Sequence, residues 1–125
     1  MCLLDGVLEW DDEYIICQTN SHHLLDNPLC CEQGLSALQG IEYGAQAMAV
    51  HGGLLAQREG KKIAQGFLVA ARNIEITIEW LDKIAGPLLI KAKKIMHDDK
   101  HSIYEFVLSH DDQILVKGRT TVMTT

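Results

Sequence analysis

The sequence predicts an α+β domain in which an antiparallel sheet curls around one long central helix. Apolar residues recur around nearly the whole circumference of a predicted helix at residues 37–58, so this helix must be buried on most sides. Two strand patterns precede the helix and about four longer ones follow it, and an antiparallel sheet normally buries one face. A sandwich with the helix lying on an open sheet is the alternative arrangement.

Composition narrows the class of protein. The 125 residues suit one domain, residues 1–125, and 47% of them are apolar, enough for a buried core. A net charge of −6 argues against a general nucleic-acid or anionic-membrane binder. The longest nearly uncharged run, residues 43–57, is shorter than the about 20 apolar residues that span a bilayer. The four cysteines form no C-x-x-C pair, which favours reduced thiols and a cytoplasmic protein.

The strands are assigned from alternating apolar residues and from the turn formers between them. The clearest alternation places Ile74, Ile76, Ile78 and Trp80 on one face of a strand. The assigned segments are, in chain order, strands at 2–10 and 14–19, a loop at 20–36, the helix at 37–58, one long strand at 66–80, and three further strands with polar turns at 97–100 and 111–113.

The predicted helix has a start signal and three internal glycines. Ser36 followed by Gln39 fits a capping box, in which the hydroxyl accepts a free backbone N–H and the amide reaches back. Gly44, Gly52 and Gly53 cost helix propensity. We therefore expect these glycines to let another backbone approach closely.

Glu42 is the candidate acid–base residue. It is the only acidic residue between Gln33 and Arg58. Burying a carboxylate without partners costs several kcal/mol, so burial in this apolar helix would raise its pKa and suit it to proton transfer. Gln46 lies one turn further along the same face, where it can orient the carboxylate. The alternative is that Glu42 points into solvent or helps to cap the helix.

The helix resembles that of a known family. Residues 40–49, GIEYGAQAMA, resemble the E-x-x-A-Q helix of 3-hydroxyacyl-acyl-carrier-protein dehydratases. They are closer still to the dehydratase-like subunits of aryl polyene biosynthesis. Residues 1–5, MCLLD, resemble the first strand of both groups, and residues 27–29, Asn-Pro-Leu, resemble their N-P-F turn. The resemblance implies a hotdog fold, which is a sheet wrapped around one helix, and a role with acyl thioesters in fatty acid or polyene synthesis.

The resemblance also implies roles for individual residues. In these dehydratases a His from one chain of a dimer removes the α-proton, and an acid from the partner's helix protonates the leaving hydroxyl. Glu42 corresponds to that acid and Gln46 to the Gln that follows it. Backbone N–H groups and the helix dipole would bind the thioester carbonyl. The residues implied in substrate binding are Ala37, Leu38, Gly40 and Gly44. The substrate would arrive on acyl carrier protein or coenzyme A, and no cofactor is expected.

The sequence departs from the dehydratase pattern at the catalytic His. Where the dehydratases have G-H-F-P, residues 30–35 read CCEQGL. His22 and His23 are the candidates to replace it, although the motif does not map onto them, and the alternative is that both are polar loop residues. His51 is expected in the core or at a dimer interface. The paired histidines and cysteines lack the usual spacing of zinc ligands, so no metal is expected.

Three functions remain open from the sequence. The chain is a dehydratase or its His-lacking subunit, a thioesterase with Glu42 as base or nucleophile, or a non-catalytic partner of an acyl carrier protein. The Ala-Gln after the acid favours the first over the second, and the missing His favours a heterodimer or the third. We expect a homodimer or a heterodimer with a second hotdog subunit. In it the helix would be almost wholly buried, and Glu42 would line a tunnel mouth.

Overall fold

The computed structural model describes residues 3–23, 27, 29, 34–61, 66–98 and 100–124. Two short strands precede the central helix and four longer strands follow it, as predicted. The elements are β1 (Gly6–Trp10), β2 (Tyr14–Thr19), α1 (Gly40–Arg58), β3 (Gly66–Ile76), β4 (Leu88–His97), β5 (His101–His110) and β6 (Gln113–Thr124), with 3₁₀ turns at Ser21–His23, Ala37–Gln39 and Leu81–Lys83. Within the described ranges, no helix is long and apolar enough to cross a membrane.

The six strands form one antiparallel sheet in the order β1-β2-β4-β5-β6-β3. The connection from β2 to β3 therefore passes over three strands, and α1 makes this crossing while touching β2, β4, β5 and β6. β3 forms one edge of the sheet, and Leu68 and Val69 on it are exposed. The helix is thus held against one face of a continuous sheet, which confirms the predicted architecture.

One face of α1 supplies the helical part of the core. Its buried residues are Gly40, Tyr43, Gly44, Ala47, Met48 and His51. Buried side chains of the sheet in the same core include Ile15, Cys17, Ile90, Ala92, Tyr104, Phe106, Leu108 and Val116. Glu42 is not among these buried residues, and its side chain lies on a different side of the helix.

The helix of the single chain is buried on one side only, and its almost complete burial stays a prediction for the dimer. Glu42, Ala49 and Gly52 are exposed, and Ala45 and Leu54 are only partly buried. The physical reason is that one sheet covers one side of a helix, whereas the apolar pattern runs around more of it. The second subunit that we predict from the sequence would cover this open side of α1.

The long strand predicted at 66–80 ends earlier than expected. β3 stops at Ile76, and its pairing with β6 shifts register around Asn73, whose φ of 55° lies in the left-handed region. Such a bulge bends a strand and breaks its alternation. Trp80 instead forms an isolated bridge with Ser36. The segment after β3 therefore lies beside the start of the helix.

The glycines of the helix do not all serve the predicted purpose. A Cβ on Gly44 would lie 2.7 Å from Cγ of Phe106, so Gly44 admits an aromatic ring and not a backbone. A Cβ on Gly52 or Gly53 would meet nothing within 4 Å among the described residues. Close approach of a second backbone at these two positions stays a prediction.

Candidate active site

Glu42 lies in the first turn of α1, and its side chain is exposed. Tyr43 and Gly44, which follow it, are buried against the sheet. Glu42 therefore projects from the side of the helix that the chain's own sheet leaves open. In the single chain Glu42 thus points into solvent, which is one of the two positions considered for it, and its place at the mouth of a tunnel in a dimer stays a prediction. A carboxylate in this position is accessible to a substrate and to a second subunit.

Gln46 lies one helical turn after Glu42 and is held by the start of the chain. Its Oε1 accepts a hydrogen bond from the backbone N–H of Leu3 at 2.7 Å, and Leu3 is itself buried. This bond fixes which end of the amide faces Leu3. Residues four apart are neighbours on a helix surface, so the geometry allows the predicted orienting role of Gln46.

The backbone N–H groups at the helix start already have acceptors within the chain. The N–H of Ala37 donates to the Glu79 carbonyl at 2.8 Å, and that of Leu38 donates to the Ser36 hydroxyl at 3.2 Å. The N–H of Gly40 donates to the carbonyls of Ala37 and Leu38. A thioester carbonyl bound here, as the resemblance implies, would have to replace one of these acceptors. The Leu38 bond, exposed and 3.2 Å long, is the easiest of the measured ones to exchange.

Gly40 and Gly44, also implied in substrate binding, face the sheet. A Cβ on Gly40 would lie 3.0 Å from Cγ2 of Val116, and one on Gly44 would meet Phe106. In this chain both glycines allow close packing of the helix on the sheet. Contact with a substrate at either position remains a prediction.

A groove of about 490 Å³ opens beside the helix start. It is lined by Ser36, Ala37, Leu38, Ile76, Thr77, Ile78 and Glu79. Leu38 and Ile76 are 57% and 42% exposed, so the groove has an apolar lip suited to a hydrocarbon group. Sequence reasoning placed Ile76 and Ile78 on a strand face and missed this role. The residue that could have indicated an early end of this strand is Asn73, because asparagine tolerates the left-handed conformation.

The candidate histidines differ in what the structure shows. His22 is buried, and its Nε2 donates to the carbonyl of Ile84 at 3.1 Å. No contact between His22 and Glu42 is found among the described residues. The side chain of His23 lies outside the described residues, as do Cys30 and Cys31. A catalytic role for either histidine remains a prediction.

His51 is a core residue, one of the two positions predicted for it. Its Nε2 lies 2.7 Å from the carbonyl of Asp11, which can only accept, so this nitrogen carries a proton. Its Nδ1 lies 2.7 Å from the Tyr104 hydroxyl and in the neutral ring accepts from it. Burial lowers the pKa of His51 and raises the pKa of Tyr104 to about 12. Both groups therefore stay neutral in the folded chain near pH 7.

This arrangement predicts a loss of stability in acid. Because the pKa of His51 is lowered on folding, the unfolded chain binds the proton first, and the stabilisation is lost as the pH falls below about 6.5. One such group contributes a slope of at most about 1.4 kcal/mol per pH unit. Urea denaturation between pH 7.5 and 5 should show a smaller slope for His51→Gln than for the native chain. Equal slopes would contradict the assignment.

Comparison with known proteins places the chain in a family. The model of the ApeP-like family, described as ApeP dehydratase, matches residues 1–125. The chain belongs to this family. No curated protein matches it. Membership in the ApeP-like family confirms the resemblance that residues 40–49 indicate.

Solved structures similar to this ApeP-like chain are hotdog proteins. The dehydratase heterocomplex ApeI:P from Xenorhabdus doucetiae is 23% identical with a TM-score of 0.88, covering 99% of this chain and 83% of that one. A variant of thioesterase SAV0944 from Staphylococcus aureus is 15% identical with a TM-score of 0.71, covering 96% and 92%. Zebrafish thioesterase superfamily member 2 is 17% identical with a TM-score of 0.67, covering 95% and 80%. These similarities establish the hotdog fold.

Proposed function

We propose that the chain is the acid-bearing subunit of a 3-hydroxyacyl-thioester dehydratase and works with a second hotdog subunit. The observation that carries the proposal is the exposure of Glu42 on the open side of α1. Membership in the ApeP-like dehydratase family supports the reaction class. A similar structure that is described as a dehydratase heterocomplex supports the second subunit.

In the proposed reaction, a base removes the proton on the carbon next to the thioester carbonyl. Glu42, in its protonated form, gives its proton to the hydroxyl on the next carbon, which leaves as water. The electron pair of the broken C–H bond forms the new C=C bond, so charge and atoms balance. An N–H donor at the helix start, with Leu38 the nearest candidate, would polarise the carbonyl during the transfer.

The base is assigned to the partner because this chain offers no His in the expected place. Residues 30–35 lack the His of the dehydratase motif. His22 is buried with its Nε2 donated to Ile84, and His51 is bonded on both ring nitrogens. Using His22 as the base would first require exposing its buried ring, and using His51 would first require breaking its two contacts. A His from a second subunit that covers the open side of α1 requires no such change.

The substrate is proposed to be an acyl chain delivered by an acyl carrier protein in the cytoplasm. The thioester would lie near the helix start, and part of the acyl group would lie against Leu38 and Ile76 in the groove. The apolar lip of the groove supports a hydrocarbon ligand. The cysteine spacing, which contains no C-x-x-C pair, supports a reducing compartment.

Reconstitution tests the proposal. The chain, a hotdog subunit with the His motif co-purified from the native host, and their mixture are each incubated with a 3-hydroxyacyl-acyl-carrier-protein. We expect loss of water, followed by mass spectrometry, only in the mixture, and no restoration by a partner whose His is replaced by Ala. Dehydration at ordinary enzyme rates by the isolated chain would contradict the proposal. Release of free carrier thiol would indicate a thioesterase.

A further inference from the structure

Ser36 directs its side chain away from the core and lines the groove beside the helix start. Its backbone is extended, with φ of −61° and ψ of 139°, and it forms the isolated bridge with Trp80. Its neighbours Leu35 and Ala37 are at most 1% exposed, so their side chains face the core. Side chains alternate along an extended segment, so the partly buried side chain of Ser36 faces the opposite way. It is one of the residues that line the groove of about 490 Å³.

The hydroxyl of Ser36 has a proton that it can donate to a ligand. Its oxygen accepts the N–H of Leu38 at 3.2 Å, and a hydroxyl that accepts still has its own proton to donate. No acceptor for this proton is found among the described residues. Thr77 also lines the groove, but its hydroxyl already donates to the carbonyl of Ile114 at 2.8 Å. Of these two hydroxyls, that of Ser36 is therefore the one available to a ligand.

The backbone N–H groups that follow Ser36 already have acceptors. The N–H of Ala37 donates to the Glu79 carbonyl at 2.8 Å, and that of Gln39 donates to the Ser36 carbonyl at 3.0 Å. The N–H of Leu38 donates to the Ser36 hydroxyl itself. A carbonyl oxygen at the helix start can therefore be bound by the Ser36 hydroxyl without displacing any of these three bonds.

We propose that Ser36 is a catalytic residue whose hydroxyl donates a hydrogen bond to the carbonyl oxygen of the thioester. When the proton on the neighbouring carbon is removed, negative charge develops on this oxygen, and a donor aimed at it stabilises the transition state. The N–H of Leu38 acts through the same hydroxyl, because hydrogen bonds in series polarise one another. Ser36 keeps its proton throughout and forms no covalent bond to the substrate. This inference rests on the dehydratase function proposed above.

The location of Ser36 suits a substrate that also reaches Glu42. The 3₁₀ turn Ala37–Gln39 leads directly into α1, so Leu38 lies about one turn before Glu42. Both of these side chains are exposed. One turn rises about 5.4 Å. A 3-hydroxyacyl thioester has its two oxygens on the first and third carbons, so it can present the carbonyl to Ser36 and the hydroxyl to Glu42.

The variants Ser36→Gly and Ser36→Thr test the proposal in the complete complex. Gly lacks the hydroxyl but costs little stability at a capping position, whereas Thr keeps both the acceptor and the proton. We expect Ser36→Gly to lower kcat about 10²-fold with little change in KM, because a donor to a developing oxyanion acts mainly on the transition state. Ser36→Thr should match the native complex. Thermal melting checks the fold, and Ser36→Ala replaces Ser36→Gly if the latter does not fold.

Infrared difference spectroscopy of a bound thioester gives a readout that a merely structural role of Ser36 would not move. The probe is hexanoyl-pantetheine, which has no 3-hydroxyl and cannot be dehydrated. A hydrogen bond to a thioester carbonyl lowers the frequency of its C=O stretch. Compared with the native complex, Ser36→Gly should therefore raise this frequency and Ser36→Thr should leave it in place. An unchanged frequency in folded Ser36→Gly would overturn the inference, as would a loss of activity that Ser36→Thr shares.

Glu42→Gln separates this inference from the proposed function. If Glu42→Gln is inactive while Ser36→Gly keeps the native kcat and C=O frequency, the role of Ser36 fails and the acid role stands. If Glu42→Gln is fully active while Ser36→Gly still raises the frequency, the acid role fails and Ser36 remains a residue that binds the thioester.

Discussion

Replacing Glu42 by Gln is expected to lower kcat of the reconstituted dehydratase by about 10² to 10⁴, the usual worth of one general acid. Gln is nearly the same size and can occupy the same place on α1, but it has no proton to give to the leaving hydroxyl. Because Glu42 is exposed, the change should leave the stability of the chain and its assembly with a partner unaltered. Initial rates, thermal melting and gel filtration measure the three quantities.

Glu59→Gln is the matched control for this experiment. Glu59 is also exposed, follows the last residue of α1, and forms an ion pair of 3.3 Å with Lys61. Exposed pairs of this kind contribute little to stability. Its replacement should leave kcat unchanged, so a loss confined to Glu42→Gln reflects chemistry at that carboxyl. Full activity of Glu42→Gln would remove Glu42 from the mechanism.

Gly44→Ala should destabilise the chain by about 2 to 3 kcal/mol, the upper range for overpacking a core. The added methyl would lie 2.7 Å from Cγ of Phe106, closer than such atoms come in real proteins. The ring cannot retreat easily, because Phe106 is fully buried among the other side chains of the core. Urea denaturation measures the loss, with Gly52→Ala as the control.

Two further variants, Gly52→Ala and Phe106→Leu, test whether the loss in Gly44→Ala comes from the contact with Phe106. A Cβ on Gly52 meets nothing within 4 Å in the described chain, so Gly52→Ala should stabilise it by about 0.5 to 1 kcal/mol through helix propensity. Phe106→Leu removes the crowding ring, and in combination with Gly44→Ala it should cost less than the two changes summed. Additive losses would show that Gly44 and Phe106 are not the pair in conflict.

The sequence allowed the helix and the order of strands to be predicted because both follow from local patterns. The apolar repeat marks α1, Ser36 caps the 3₁₀ turn Ala37–Gln39 that leads into it, and alternation marks the strands before and after it. The early end of β3 was missed because it depends on a left-handed backbone at Asn73, and alternation at Ile76 and Ile78 continues through it. The exposure of Glu42 in the single chain could not be decided from the sequence, because the apolar pattern shows which residues avoid water and not whether this chain covers them.

The candidate site could be predicted only in part for a related reason. Glu42 and Gln46 stand in one helical motif, so a short stretch of sequence identifies both. The contact between Gln46 and Leu3 joins residues 43 positions apart, and the bond from Thr19 to the Leu3 carbonyl depends on how β2 meets the start of the chain. Neither is visible before the chain is folded. We propose that the base comes from another polypeptide, so the only sign of it in this sequence is the absence of a His from residues 30–35.

The edge strand β3 has a consequence for how a cell must produce this protein. β3 pairs with β6 on one side only within the described sheet, and an edge of this kind with exposed apolar side chains, here Leu68 and Val69, is a template for indiscriminate pairing with other chains. The open side of α1 adds further apolar surface. If the chain has the partner proposed above, an excess of it over that partner would be prone to aggregation and degradation, and balanced synthesis of the two would be required for either to accumulate.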